Sequence, residues 1–442
     1  MTQHKNLKRR IRQRMEKTGE SYASARRITL QQAPLEHDHS LPLIHMPGNV
    51  PAASALRVLL ANAGLRAEHT GKPFSEAMIF GIAGGIGAGV FAFHYEKENL
   101  STFFIAGRHL WQDDLAYLRQ AAERFGASAE VAETGGAKQA AANLDERLAD
   151  GGPVIAWVDM AELGTRGLPE TWSGGGYHVV VVYRREPDAQ SYLIGDLADQ
   201  PVRLSAGTLA TARARIKKDK NRLLRLANVP QSVQLRRAIT AGLQACHQGL
   251  VGGRMQNFTL EAFAKWAKEL RAQAKGGWGQ QFPPGPNLWR GLTSVYDFIE
   301  HYGTGGGLCR PLFADFLQEA GQALGSDLLE PLAIRYRRLG QGWSELAQAA
   351  LPDEIEVLAQ ARRLLDEKAE RYLSEGATAR QDYEQLWAQL MALAGQGADQ
   401  FPLVQAEAET LRHELADRVE ALYDEEQAGL AAIEQAVRQL VD

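Results

Sequence analysis

Cysteine is scarce in this chain. Two thiols, Cys246 and Cys309, in 442 residues exclude a disulfide framework and any zinc site built from several thiolates. Long hydrophobic runs are missing too: no segment offers about 18 consecutive apolar residues, so no membrane-spanning helix is encoded. The N-terminus lacks the apolar core of a signal peptide, and a cytoplasmic protein with no membrane partner is expected. Positive charge is not in excess. A formal net charge of −4 speaks against wholesale nucleic-acid binding and leaves room only for a local basic patch. What is present, 45% hydrophobic and 23% charged residues, suits a globular protein long enough for two or three domains.

The basic patch lies at the start, where Lys5, Lys8, Arg9, Arg10, Arg12, Arg14 and Lys17 crowd a helix carrying Leu7, Ile11 and Met15 on one stripe. Arg26 and Arg27 follow. The expectation is a docking face for an acidic partner, such as an acyl or peptidyl carrier protein, and a helix that contributes little to the core. The plain alternative is a solvated face packed on its own domain through the apolar stripe. PLEHDHSLPLIHMPGN then reads as a linker, and the spacing of His37, His39 and His45 assigns no metal.

From Pro51, PAASALRVLLANAGL has helical periodicity, with proline suited to the first turn. GIAGGIGAG follows a helical stretch and lacks the lysine and Ser/Thr of a phosphate loop, so close packing explains its glycines better than a nucleotide does. Helices and strands alternate until GGGYHVVVVY, where an apolar strand opens with His178 directly after a glycine hinge. The turn REPDAQ leads to SYLIGDL, which delivers Asp196 at its end. Two antiparallel strands so arranged bring an imidazole and a carboxylate together, the geometry that orients a general base. From Ser232 onward nearly everything reads helical, with Trp266, Trp278, Trp289 and Trp343 as core anchors.

These segments, together with FSEAMIFGIAGGIGAGVF, NFTLEAFAKWAKEL, GTGGGLCRPLFADFLQEAG and WSELAQAALP, resemble the butirosin biosynthesis protein H family over approximately Pro42 to Pro352. The resemblance implies an α+β fold: a papain-like, cysteine-peptidase-like domain joined to a mainly α-helical second domain, here with a C-terminal helical extension. It implies acyl transfer from a carrier protein to an amine through a cysteine thioester, with His178 and Asp196 matching the histidine and aspartate of the triad. The nucleophile departs from that pattern. Where the family has a His-Cys pair opening the first buried helix, this chain has Val50 and Pro51, and Pro51 is the lost nucleophile position.

The division expected is a basic helix and linker over 1–41, a papain-like domain over 42–230, a helical domain over 231–352 and a C-terminal hairpin or arm over 353–442, the last a candidate homodimer contact. Ser54, one turn into the Pro51 helix, is a weak substitute nucleophile. Cys309, at the start of a helix beside Arg310, is a stronger one on electrostatics, because amide dipoles and a cation lower a thiol pKa, but free cysteine is among the most buried residue types and core packing is the favoured reading for it. Gly305, Gly306 and Arg310 could hold an anion such as the phosphate of a phosphopantetheine-linked acyl group; no other cofactor and no metal is expected. Two function classes follow: a degenerate fold binding an acyl, peptidyl or carrier-protein ligand between its domains, or an active acyltransferase or hydrolase using the His178–Asp196 dyad, alone or with Cys309.

Overall fold

A computed structural model describes residues 2–20, 22–32, 43–252, 255–399 and 401–441; His37 and His39 of the linker lie outside them. The α+β part is built on a six-stranded antiparallel sheet. Its strands are β3 (Ser128–Ala132), β4 (Val154–Asp159), β5 (Tyr177–Arg185), β6 (Ser191–Gly195), β7 (Val202–Ser205) and β8 (Leu223–Ala227), in the order β3-β8-β4-β5-β6-β7. The earlier β1 (Ile86–Tyr95) and β2 (Leu100–Arg108) form a separate hairpin.

Both faces of the central strands are covered. Ile155, Trp157, Val179 and Val181 belong to one hydrophobic cluster, and Val154, Ala156, Val158, Val180 and Val182 to another. This two-residue alternation between clusters explains why β4 and β5 read as continuous apolar runs rather than as alternating ones. On the first face packs the Pro51–Asn62 helix, whose Leu56, Val58, Leu59 and Leu60 are buried. Its start is set by Pro51, whose fixed φ suits a first helical position and whose missing N–H would have had no intrahelical partner. On the second face lie the helices Ala137–Ala149 and Ala206–Arg215, through Leu144, Leu209 and Ala212.

Among the described residues no strand follows Ala227, and everything beyond is helical or loop. Trp266, Trp278 and Trp343 are fully buried and Trp289 nearly so. The β1–β2 hairpin packs against the helical half: Phe103 stacks on Trp266 at 5.1 Å, and Phe104 meets Phe298 edge-on at 4.8 Å. One hydrophobic cluster consequently runs from Met46 to Leu440 through both halves. The glycines of GIAGGIGAG serve this packing. A Cβ on Gly85, whose φ is +61°, would sit 2.5 Å from the Phe313 ring.

The C-terminal segment folds back rather than projecting. The long Gln405–Val441 helix packs on the helices Leu235–Val251, Glu261–Arg271 and Glu330–Ala350 of its own chain. No helix among the described residues is long and apolar enough to cross a membrane.

The N-terminal helix differs from the expectation that it contributes little to the core. Ile11 is 1% exposed and joins Tyr22, Tyr372, Leu373 and Tyr383 in a buried cluster. Lys8 pairs with Glu375 at 3.0 Å and Arg12 with Glu370 at 2.7 Å. Arg26 is fully buried on Asp199 and on the carbonyls of Gly48 and Leu197, and Arg27 is buried against Asp315. The sequence pattern concealed this because the acidic partners lie more than 170 residues away. Removing residues 1–30 is expected to lower the thermal midpoint by at least about 5 °C, since it deletes buried apolar side chains and strands Asp199 without its guanidinium. An unchanged melting curve in differential scanning calorimetry would show the helix to be dispensable.

Candidate functional site

The pairing of β5 with β6 sets Val181 against Gly195; one more residue puts Asp196 beside Val180, two positions from His178 on the same face. His178 Nε2 lies 2.8 Å from Asp196 Oδ1 and donates to it, both side chains being buried. Two further donors converge on the same carboxylate. Arg166 Nη2 donates to Oδ2 at 3.0 Å, and the Tyr372 hydroxyl, from the Glu356–Glu375 helix, donates to that oxygen as well. The Arg166 guanidinium also stacks on the Tyr372 ring, 4.1 Å from its centroid.

Burial alone would raise the Asp196 carboxyl. Attraction to His178 and Arg166, with hydrogen bonds from His178 and Tyr372, outweighs burial and holds it well below the ordinary carboxylate range. Asp196 is therefore an ionised group shared three ways. It fixes the His178 tautomer through Nε2 and leaves Nδ1 as the ring's other nitrogen. Arg166 Nη2 lies 3.2 Å from His178 Nε2, so the guanidinium competes with the imidazole for one anion.

At the start of the Pro51 helix one carboxylate collects four donors. Glu76 Oε1 accepts from the backbone N–H groups of Asn49 at 2.8 Å and Val50 at 2.7 Å, and from Ser54 Oγ at 2.6 Å. Its Oε2 accepts from Asn49 Nδ2 at 2.9 Å. Ser54 is thus buried and committed to a carboxylate, and Pro51 has no N–H to offer a developing oxyanion. Beside the helix, Pro51, Ser54, Val179 and Asp196 line a cavity of only ≈ 10 Å³.

Cys309 does not provide the missing thiolate. It is 1% exposed, and burial pushes its thiol up to about 12, overriding Arg310. Loss of water outweighs the dipole at this helix start, in keeping with the core-packing reading of Cys309. Cys246 is fully buried on the Ile86 carbonyl and likewise pushed up to about 12 by burial.

Arg310 is equally unavailable to an anion. Its guanidinium is fully buried, with Nε on Glu426 at 2.6 Å and the other nitrogens on the carbonyls of Gly87, Gly107 and Leu308. The GTGGG loop turns its amides inward, Gly306 N–H to Thr304 Oγ1 at 3.2 Å and Gly307 N–H to Glu300 Oε1 at 3.4 Å. Its glycines answer to close packing: a Cβ on Gly303 would lie 3.3 Å from Pro51, and one on Gly305 would lie 3.0 Å from Asn49.

Room for a ligand exists a few residues away. A cavity of ≈ 80 Å³ lies between the α+β part and the helical part, with Asn49, Gly305, Arg166 and Tyr372 in its wall. Of the residues expected to bind a ligand, only Gly305 borders it. Arg166, Tyr372 and the cavity's His301 and Lys368 carry no sequence signal, because they reach the site from separate helices and loops. Among the described residues no group of three His, Cys, Asp or Glu side chains could hold a metal ion.

A helix starting against a sheet, a histidine–aspartate pair on adjacent antiparallel strands and a mainly helical second half define an α+β protein with a papain-like domain and a large helical part. Residues 51–197 match the model of the butirosin biosynthesis protein H N-terminal domain, and residues 207–371 match a domain of unknown function, DUF4872. The chain belongs to the butirosin biosynthesis protein H-like family. No curated protein matches it.

Proposed function

We propose that this chain is a catalytically silent member of its family that binds an acyl, peptidyl or carrier-linked ligand in the cavity between its two halves. One observation carries the reading: Pro51 stands at the helix start, and both thiols of the chain are buried and pushed up to about 12. A thioester route needs a thiolate beside an imidazole, and removing the nucleophile of such a triad costs several orders of magnitude in rate. The outer face of the N-terminal helix, where Arg9, Arg10 and Lys17 are exposed, suits an acidic carrier protein that would present a phosphopantetheine arm. The expected result with acyl-thioester donors is no acyl adduct in intact-protein mass spectrometry. Replacing both cysteines by serine should leave ligand binding unchanged, provided the variant folds. A thioester adduct on either cysteine would overturn the reading.

A second reading is supported by the ionised Asp196 against His178 Nε2. In it the dyad serves as general base for direct attack of an amine or water on a bound acyl group. The His178→Ala variant distinguishes the two. Abolished hydrolysis of a thioester with binding intact supports the dyad enzyme, and the absence of turnover in the parent protein supports the silent binder.

A further inference from the structure

The interdomain cavity carries a second histidine–aspartate pair, unrelated to the triad pattern. His301, at the end of the Pro286–Glu300 helix, places Nε2 2.9 Å from Asp366 Oδ1, and the Tyr296 hydroxyl donates to the same oxygen at 2.7 Å. Asp366 is a carboxylate acceptor, so Nε2 carries a proton and Nδ1 is left over. The His301 side chain is 5% exposed, and its Nδ1 is buried with no hydrogen-bond partner among the described residues. Three other residues of the cavity wall carry buried polar atoms without a partner among the described residues: Arg166 Nε and Trp387 Nε1 are N–H donors, and Asn49 Oδ1 is an acceptor. Buried donors are almost always satisfied, and each left unmade costs the full desolvation of its group.

The charge of the wall points the same way. Lys368 has Asp297 only at 3.7 Å and lies over the Trp387 ring at 4.2 Å. Burial would lower the His301 imidazole, but the hydrogen bond and charge of Asp366, helped by Asp297 and Glu300, raise it above its usual value. In its protonated form His301 adds Nδ1 as a third unmet donor. Besides Asn49 and the Asp297 carboxylate that faces Lys368, the rest of the wall is mostly aromatic or apolar: Trp172 and Trp387 lie tilted at 59° with centroids 5.5 Å apart, next to Leu168, Met160 and Tyr383. An aromatic wall in which unmet donors outnumber the single unmet acceptor, Asn49 Oδ1, fits a body that is flat and a head that chiefly accepts.

Resting on the reading of this cavity as the ligand site, we propose that it recognises a small aromatic or flat apolar acid, its oxyanion head, carboxylate or phosphate, held by His301, Trp387 and Arg166 and its body packed against the Trp172–Trp387 pair. The head identifies the ligand class, and the two tryptophans provide the signal for detecting it.

Titration of the full chain with benzoate, phenyl phosphate, benzamide and benzylamine, followed by calorimetry and by tryptophan fluorescence, tests this. Benzoate or phenyl phosphate should bind saturably at about 1 mM or tighter, with benzamide at least about tenfold weaker and benzylamine weaker still. The comparison of the two acids identifies the preferred head. His301→Gln should weaken the acid at least about tenfold while leaving benzamide within about twofold, and Trp387→Phe, which keeps a ring and loses the donor, should cost roughly fivefold. Equal binding of benzamide and the acids, or no binding of either acid to the folded parent protein, would overturn the proposal without any variant. Should a carrier-linked acyl chain co-purify while both acids are ignored, this inference fails and the silent-binder reading stands. Should an acyl adduct form while the acids bind through His301, the reverse holds.

Discussion

Replacing Glu426 by leucine is expected to destabilise the protein by about 3–5 kcal/mol in equilibrium urea unfolding, more than any exposed substitution should. Glu426 and Arg310 are both fully buried, joined at 2.6 Å, and Trp343 Nε1 donates to the same oxygen at 2.9 Å. Without the carboxylate, a guanidinium is left in a dry core with only backbone carbonyls around it. Those carbonyls belong to Gly87 of β1, Gly107 of β2 and Leu308, so the stranded charge sits where the hairpin, the GTGGG loop and the C-terminal helix meet. The paired replacement Arg310→Met with Glu426→Leu removes both charges and should recover most of the loss. If the single variant costs less than about 1 kcal/mol, water reaches the pair and the core is not dry there.

Asp196→Asn should have an effect of similar size, about 3–5 kcal/mol at neutral pH, because it removes the buried anion that Arg166, His178 and Tyr372 share. Tyr372→Phe, which deletes one donor of three, should cost about 1 kcal/mol. The sign of the pH dependence follows from the direction of the shift. The folded carboxyl is held far below its unfolded value of about 3.9, so its stabilisation is fully present above that value and is lost as pH falls from about 4 towards the folded value. The gap between the parent protein and Asp196→Asn should accordingly narrow as urea titrations move from pH 7 to pH 3. A gap independent of pH would mean that shape, not charge, is what Asp196 contributes.

His178 and Asp196 were legible because their relation is local: a glycine hinge, an apolar strand, a short turn and a second strand fix both partners within 18 residues. The helix at Pro51 was legible for the same reason, with a proline start and an apolar face inside one segment. Arg166 and Tyr372 were not, since Tyr372 lies 176 residues beyond the aspartate it bonds and nothing in RYLSEG marks it. Cys309 left two readings open because a helix start is visible in sequence whereas the exclusion of water from it is not; its burial agrees with the favoured one, core packing. The basic N-terminal helix divided in the same way: its charge pattern was plain, and the burial of Ile11, Arg26 and Arg27 depended on surfaces formed far along the chain.

The distance between Asp196 and Tyr372 also orders events in time. At about 5–20 residues per second, the 176 residues separating them take roughly 9–35 s to synthesise. On a nascent chain the six-stranded sheet can pair while the hydroxyl that seals its aspartate has yet to leave the ribosome. Throughout that interval the carboxylate faces water, lacking one of its three donors and the aromatic ring on which Arg166 rests. Enclosure of the histidine pair therefore waits for the Glu356–Glu375 helix, whatever the order in which the strands assemble.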